Sequence, residues 1–450
     1  MIASIPEHTF KNAPEWDELA FQEAHQQSAV VSIRTNPMKP AKLPEWERSP
    51  VPWCSNGWYL SQRPQFTLDP LFHGGCYYVQ EASSMFLQYV IEHLLQRNEE
   101  PIKVLDLCAA PGGKSTLLAS CLRPDDLLIS NEVIPLRNAI LVENMNRWGY
   151  MNTWVSQNDP AVFGARPACF DVMLIDAPCT GSGLWRKDPT AIEEWSVDQV
   201  RFCSDRQKRI IGDALPALKN EGLLLYATCS FSPEENESIL DWICKEFDVE
   251  SLSVPLPEQW GITPTTSPEY GATGYRFYPW KLQGEGFFLA AFQVRNASTA
   301  PLVKVKKPSK NTSSLVTVWK DWLASDFVVW EQDGNCFAFH PAHLKELEWY
   351  SQFLKLKKHG TLLGKVLPKG PIPDQELAMS IYLSQEVPRK ELDTVTALRY
   401  LKKEAVCEDD THKGWMAVAY EQTVLGWGKW LGNRMNNYLP KNLRIRMDVE

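Results

Sequence analysis

The chain has 450 residues, 44% hydrophobic and 11% aromatic, with a formal net charge of −9 at pH 7. That is ample apolar material for two to four packed domains, and the acidic balance argues against a protein wrapped in positive potential. Eleven cysteines in a chain this long, none in a C-x-x-C pair, speak against a secreted disulfide scaffold or a zinc ribbon, and for reduced thiols in a cytoplasmic protein without a metal.

From the amino end, MIASIPEHTFKNAPEW has neither a basic start nor an apolar run, and no later stretch approaches the length of a membrane span, so no membrane partner is expected. Residues 34–53 (RTNPMKPAKLPEWERSPVPW) are rich in Pro and Trp. They precede HGGCYYVQEASSMFLQYVIEHLL, which reads as a turn feeding an amphipathic helix. Together these segments suggest a small appended domain over 1–95. From 96 to 296, strand-length apolar runs (KVLDL, DLLIS, TWVS, DVMLI, GLLLYA, GFFLAAFQV) alternate with helical stretches. Such alternation predicts an α/β fold with a doubly wound parallel sheet. Pro135 opens one helix, Ser196 with Gln199 reads as a capping box, and Ser232 with Pro233 and Glu235 as another.

The first of these strands runs into LDLCAAPGGKS. A Walker A loop would need glycine at position 108, where Cys108 stands, and G-x-G-x-x-G is absent. Strand, glycine loop and helix still follow in the order of a nucleotide-type site that lacks a pyrophosphate. S-adenosylmethionine suits such a site, because its amino-acid end can approach Gly112 and Gly113 and meet free N–H groups at the helix start. Glu132, at the end of the second strand, is placed to accept from ribose hydroxyls, and Asp159, after the third, to reach the adenine. Either acid alone is more often a helix cap; the ordered pair favours the cofactor.

Two later strands end at Asp176 and Cys179 (DVMLIDAPCTGSG) and at Cys229 (GLLLYATCSFSPEEN). Ligands of doubly wound sheets lie beyond the carboxyl ends of the strands, so these three side chains should share the crevice with the cofactor's methyl. Pyrimidine C5 chemistry could use both thiols: C5 is a poor nucleophile until a thiolate adds to C6, and a second group must later remove the C5 proton. Asp176 could bind cofactor or substrate amine or help protonate N3, its plain alternative being a turn cap. Cys54, Cys76, Cys121, Cys169, Cys203, Cys244, Cys336 and Cys407 read as small buried hydrophobes. Lys114, Arg186, Lys187 and Arg276 are candidates for substrate phosphates, although most such cations do nothing specific.

The segment NASTAPLVKVKKPSKNTSS has linker composition, which places a linker over 297–315 and a separate unit over 316–450. In that unit GWMAVAYEQTVLGWGKWLGNR alternates and turns on glycines like a small β domain. Basic clusters (Lys304, Lys306, Lys307 and Lys310; Lys355, Lys357, Lys358, Lys365 and Lys369; Lys429, Arg434, Lys441, Arg444 and Arg446) point to a polyanionic partner despite the acidic total.

Three motifs in this order, LDLCAAPGGKS, DAPCTGSG and ATCSFSPEENE, resemble those of the Sun-type RNA cytosine-C5 methyltransferases. HGGCYYVQEASSM and RFYPWKLQGEGFFLA are similar to further family segments, except that Trp280 stands where the family usually has histidine. GWGKWLGNRMNNYLPKNLR is similar to the PUA-like RNA-binding domain of the bacterial branch that modifies small-subunit ribosomal RNA. The resemblance implies a methyltransferase core over 96–296, an N-terminal RNA-binding-type domain and lead-in helix over 1–95, and a PUA-like domain at about 390–450. It implies that Cys229 attacks and Cys179 assists release. It also implies that Cys108, Ala109, Ala110, Pro111, Gly112, Gly113, Lys114, Glu132, Asp159 and Asp176 hold S-adenosylmethionine. The implied partner is ribosomal RNA or the small ribosomal subunit, met by a monomer. Competing readings are transfer-RNA methylation by the same site, a non-catalytic RNA-binding assembly factor, and a DNA methyltransferase that attacks through Cys179.

Overall fold

The computed structural model describes residues 10–295, 313–324, 327–406, 413–432 and 434–448. Cys407, the first basic cluster and most of the expected linker lie outside them. Four short strands come first: β1 (Val31–Thr35), β2 (Arg48–Pro50), β3 (Gly57–Leu60) and β4 (Tyr77–Val79), an antiparallel sheet in the order β2-β3-β1-β4. Pro50 sits in the edge strand, where a missing N–H costs no ladder bond. Arg34, on β1, ties this sheet to the Gly113–Cys121 and Pro135–Trp148 helices. Its buried guanidinium donates to Gln80 Oε1 (2.8 Å) and Thr116 Oγ1 (2.6 Å) and lies over the Trp148 ring. The expected amphipathic helix forms at Phe86–Leu94 and buries Phe86, Leu87, Val90 and Ile91.

The central sheet contains β5 (Lys103–Asp106), β6 (Leu127–Asn131), β7 (Thr153–Ser156), β8 (Phe170–Asp176) and β9 (Leu218–Thr228), mutually parallel in the order β9-β8-β5-β6-β7. Helices cover both faces, which is why these strands read as continuous apolar runs. Alternate side chains feed two cores: Val104, Leu128 and Val172 into one, Leu105, Ile129 and Met173 into the other. The chain winds outward from β5 through β6 to β7, then returns to the other side of β5 as β8. Direction therefore reverses between β5 and β8, the place where such sheets leave a ligand crevice.

Not every strand of this sheet is parallel. β10 (Val249–Leu252), β11 (Thr263–Thr266), β12 (Thr273–Phe277) and β13 (Phe287–Val294) are added antiparallel, with β13 seated against β9. GFFLAAFQV thus forms its expected strand in the opposite sense. β12 and β13 are joined by a short connection, which allows antiparallel neighbours and leaves no room for a crossover helix.

The C-terminal part carries two more sheets and a loan to the core. β14 (Val328–Gln332), β15 (Asn335–Phe339), β17 (Thr361–Leu367) and β18 (Gly370–Pro373) form one, in that order, while the intervening β16 (Leu356–Lys358) pairs antiparallel with β7 and caps the edge of the central sheet. The last sheet runs β19 (Arg389–Glu391), β20 (Lys413–Tyr420), β21 (Thr423–Leu431) and β22 (Met435–Asn437). Its hairpin does not turn on glycine: Glu421 and Gln422 make the turn, with φ of 47° and 63°. Gly426 lies inside β21, where a Cβ would come within 2.3 Å of the Tyr400 hydroxyl. Lys358, grouped with the basic surface from sequence, is buried and paired with Glu376. Among the described residues no helix is long and apolar enough to cross a membrane.

Candidate active site

Beyond the carboxyl ends of the parallel strands opens a cavity of about 510 Å³, lined by Cys108, Glu132, Arg137, Asp159, Asp176, Cys179, Arg206, Arg209 and Cys229, among others. Gly112, with φ of 113°, makes the left-handed turn that starts the Gly113–Cys121 helix, a conformation a side chain would strain. Cys108 borders the cavity. Ala109, Ala110 and Gly112 are buried in the loop beside it, Pro111 is exposed, and Gly113 and Lys114 are half-buried on the first turn. Glu132 lies just past β6, buried, accepting the Ile134 N–H (2.9 Å) with Arg137 3.5 Å away. Asp159 caps the Pro160–Gly164 helix through the Ala161 N–H (3.1 Å) and also lines the cavity, 3.6 Å from Arg209. Asp176 ends β8 and accepts from Lys114 Nζ at 2.8 Å. So Lys114 is held by an acid of the cleft.

The two cysteine loops meet because their strands are neighbours in register, Asp176 level with Ala227. The sulfurs lie 3.3 Å apart. The Cys179 pKa is pushed well above the usual thiol value, first by its hydrogen bond with Cys229 and then by burial. Glu235 clamps the loops together. Its carboxylate accepts the Thr180 N–H (2.8 Å) and hydroxyl (2.6 Å) from one loop and the Ser230 hydroxyl (2.5 Å) from the other. Burial raises its pKa. Gln207, on the Val197–Ala214 helix, donates to the Pro178 carbonyl at 3.0 Å.

Sequence reasoning assigned Glu235 to a capping box, and the structure corrects that: Ser232 makes no cap and the helix starts at Glu237 behind Asn236. Of the Ser196 box one half forms, the serine accepting the Gln199 N–H at 3.1 Å while the Gln199 amide turns to the Cys203 sulfur. Asp106 and Gln207 were missed. Asp106 is fully buried at the end of β5, accepts the Ser115 hydroxyl at 2.6 Å, keeps its other oxygen without a partner, and is pushed up to about 7 by burial. The sequence signal for Gln207 is a polar residue on a stripe otherwise formed by Val200, Cys203, Ile210 and Ala214. Two phosphate candidates prove structural: half-buried Arg186, its side chain enclosed, forks onto Glu285 (3.0 and 3.1 Å) and buried Arg276 onto Glu237 (2.7 Å). Lys187 is exposed. Trp280 stacks on Tyr278 (4.5 Å) and meets Trp16 edge-on (5.1 Å), so it is absorbed by aromatic packing. Cys54, Cys76, Cys203 and Cys336 are buried, and Cys121, Cys169 and Cys244 half-buried.

A parallel sheet that reverses at a glycine-turned loop, with acids at three successive strand ends, defines a methyltransferase of the Rossmann-like class. Sequence comparison agrees. The model of 16S rRNA methyltransferase RsmB/F matches residues 92–293, that of the N-terminal domain of 16S rRNA methyltransferase RsmF residues 8–82, and that of the methyltransferase RsmF PUA domain residues 388–445. "Ribosomal RNA small subunit methyltransferase F" of Vibrio cholerae serotype O1 (strain M66-2) is 32% identical over 464 residues, 96% of this chain and 95% of the relative. Its namesake in Aliivibrio fischeri (strain MJ11) is 31% identical, over 92% and 90%. A crystal structure of a methyltransferase homolog protein from Pyrococcus horikoshii superposes with a TM-score of 0.51 at 30% identity, over 61% of this chain and 90% of that one. The chain belongs to the RsmF family of 16S rRNA methyltransferases.

Proposed function

We propose that the protein methylates C5 of a cytosine in small-subunit (16S) ribosomal RNA, using S-adenosylmethionine and a covalent Cys229–C6 adduct. The observation that carries this reading is the pair of sulfurs 3.3 Å apart at the wall of the acid-lined cleft. The cleft fits the cofactor: carboxylates at successive strand ends suit hydroxyls and an ammonium, and the free N–H groups heading the Gly113–Cys121 helix suit a carboxylate. Cys108 to Lys114, Glu132, Asp159 and Asp176 would hold it. Bound there, S-adenosylmethionine supplies the methyl that C5 takes.

The chain's own residues do the rest. The Cys229 thiolate forms a bond to C6, and the ring's electrons move onto C5 while Asp176, oriented by Lys114, accepts from the exocyclic amine and, in its protonated form, donates to N3. After C5 is methylated, the Cys179 sulfur takes the C5 proton, the S–C6 bond breaks, and the electron pair returns to Cys229. The hydrogen bond with Cys229 is the first cause of the raised Cys179 pKa. Once Cys229 is a thioether that cause is gone, so Cys179 ionises more readily and can stand as the thiolate that takes the C5 proton. A base inside a helix is out of reach, so the target is single-stranded or flipped out, with the N-terminal sheet and the domain at about 390–450 gripping the RNA around it.

The test uses Cys179→Ala, small subunits that lack the modification and methyl-labelled cofactor. A labelled protein–RNA adduct on a denaturing gel, lost when Cys229 is also replaced, is expected. No adduct, with the wild type methylating transfer RNA, would overturn the substrate; a wild type inactive on both would favour the non-catalytic reading.

A further inference from the structure

The Val197–Ala214 helix lays Arg206, Arg209 and Ile210 along one wall of the cleft. The other cations around it are engaged. Lys114 donates to Asp176 at 2.8 Å, Arg137 lies 3.5 Å from Glu132 and donates to the Ala110 carbonyl at 2.8 Å, and Arg209 lies 3.2 Å from Asp213. Arg206 is half-buried and, among the described residues, makes no ion pair or hydrogen bond. Its place is fixed by its neighbour. Gln207 is bonded to the carbonyl of Pro178, immediately before Cys179, so Arg206 stands where this helix touches the Pro-Cys loop.

A guanidinium with no ion-pair partner among the described residues, in a partly desolvated cleft, is free to meet an anionic ligand, and its planar fork suits phosphate oxygens. We infer that Arg206 holds a backbone phosphate of the substrate RNA beside the cytosine that faces the thiols, and so positions the nucleotide. This deepens the RNA reading above and rests on it. The cofactor's carboxylate is the other anion of the cleft, but it has the N–H groups heading the Gly113–Cys121 helix. For a phosphate, Arg206 is, of the arginines that line the cleft, the one with no ion pair or hydrogen bond among the described residues.

Full-length Arg206→Gln and Arg206→Lys are compared with wild type on small-subunit RNA at several salt concentrations, with S-adenosylhomocysteine affinity measured by calorimetry. Arg206→Gln is expected to raise the RNA KM about tenfold while leaving kcat and S-adenosylhomocysteine affinity within about twofold. It should also flatten the dependence of log KM on log salt by about 0.7, the share of one single-strand phosphate. Arg206→Lys should recover part of the loss, since it keeps the charge without the fork. Weaker S-adenosylhomocysteine binding at unchanged RNA KM would hand the arginine to the cofactor's carboxylate. Unchanged constants, or a fall in kcat alone, would overturn the inference outright. If the wild type fails to methylate the RNA, the parent reading fails, and filter retention of the same RNA by wild type and Arg206→Gln still decides whether Arg206 holds a phosphate.

Discussion

Asp106 is a carboxyl with no exposed surface, one hydrogen bond, and a pKa of about 7 caused by burial. Its folded value is raised above the unfolded one, so between about pH 4 and 7 the folded state binds more protons, and stability from this group falls as pH rises through that window. Asp106→Asn keeps a neutral partner for Ser115 and removes the titration. Its Tm relative to wild type is therefore expected to climb by a few degrees from pH 5 to pH 8 by calorimetry; a pH-independent difference would refute the assignment. What could be read in sequence at this scale was set locally. Asp176, Cys179 and Cys229 end strands in small-residue turns, so their place followed from the strands alone. Glu235 did not, because Ser-Pro-x-Glu spells a helix cap just as well, and its true partners, Thr180 and Ser230, meet only when two loops pack.

Among elements, the alternation of strand and helix was legible because each period is local, whereas strand direction depends on how much chain is available for the return, which misled the reading of β13. The β20–β21 hairpin is the plainest case of misplaced weight. Its glycines pack, and its turn places two non-glycine residues in the left-handed region. Two-residue turns of this kind prefer Asn-Gly. Replacing Glu421 and Gln422 by Asn and Gly is expected to stabilise the protein by about 0.5–1 kcal/mol. Urea unfolding measures it, and a variant no more stable than wild type would show that the present turn is not strained.

Over the whole molecule, charge is partitioned where the total is misleading. Net −9 coexists with exposed Lys355, Lys365, Lys369, Arg434, Lys441 and Arg444 on the C-terminal part. Neutralising exposed Arg434 and Arg444 together with half-buried Lys429, which lies over the Trp415 ring, should weaken RNA binding and reduce its salt slope by up to about 2, as read by filter retention from low to high salt. An unchanged slope would remove this surface from the RNA interface. Composition could not show the partition, because Lys358 looks in sequence like its neighbours and in the fold neutralises Glu376 instead.

The strand β16 has a consequence for how such a protein can be assembled from parts. By covering β7, it makes the catalytic sheet's outer boundary the property of a segment that follows the linker by some forty residues. A catalytic fragment ending at residue 315 would leave Thr153–Ser156 as an open hydrogen-bonding edge and would strip Phe339, His343 and Tyr350 from Trp154. Bare edges of that kind recruit another strand. Such a fragment is expected to self-associate in light scattering where the full chain does not, and a monodisperse fragment would disprove it. The C-terminal part is therefore no detachable cassette: losing it would leave the catalytic sheet adhesive.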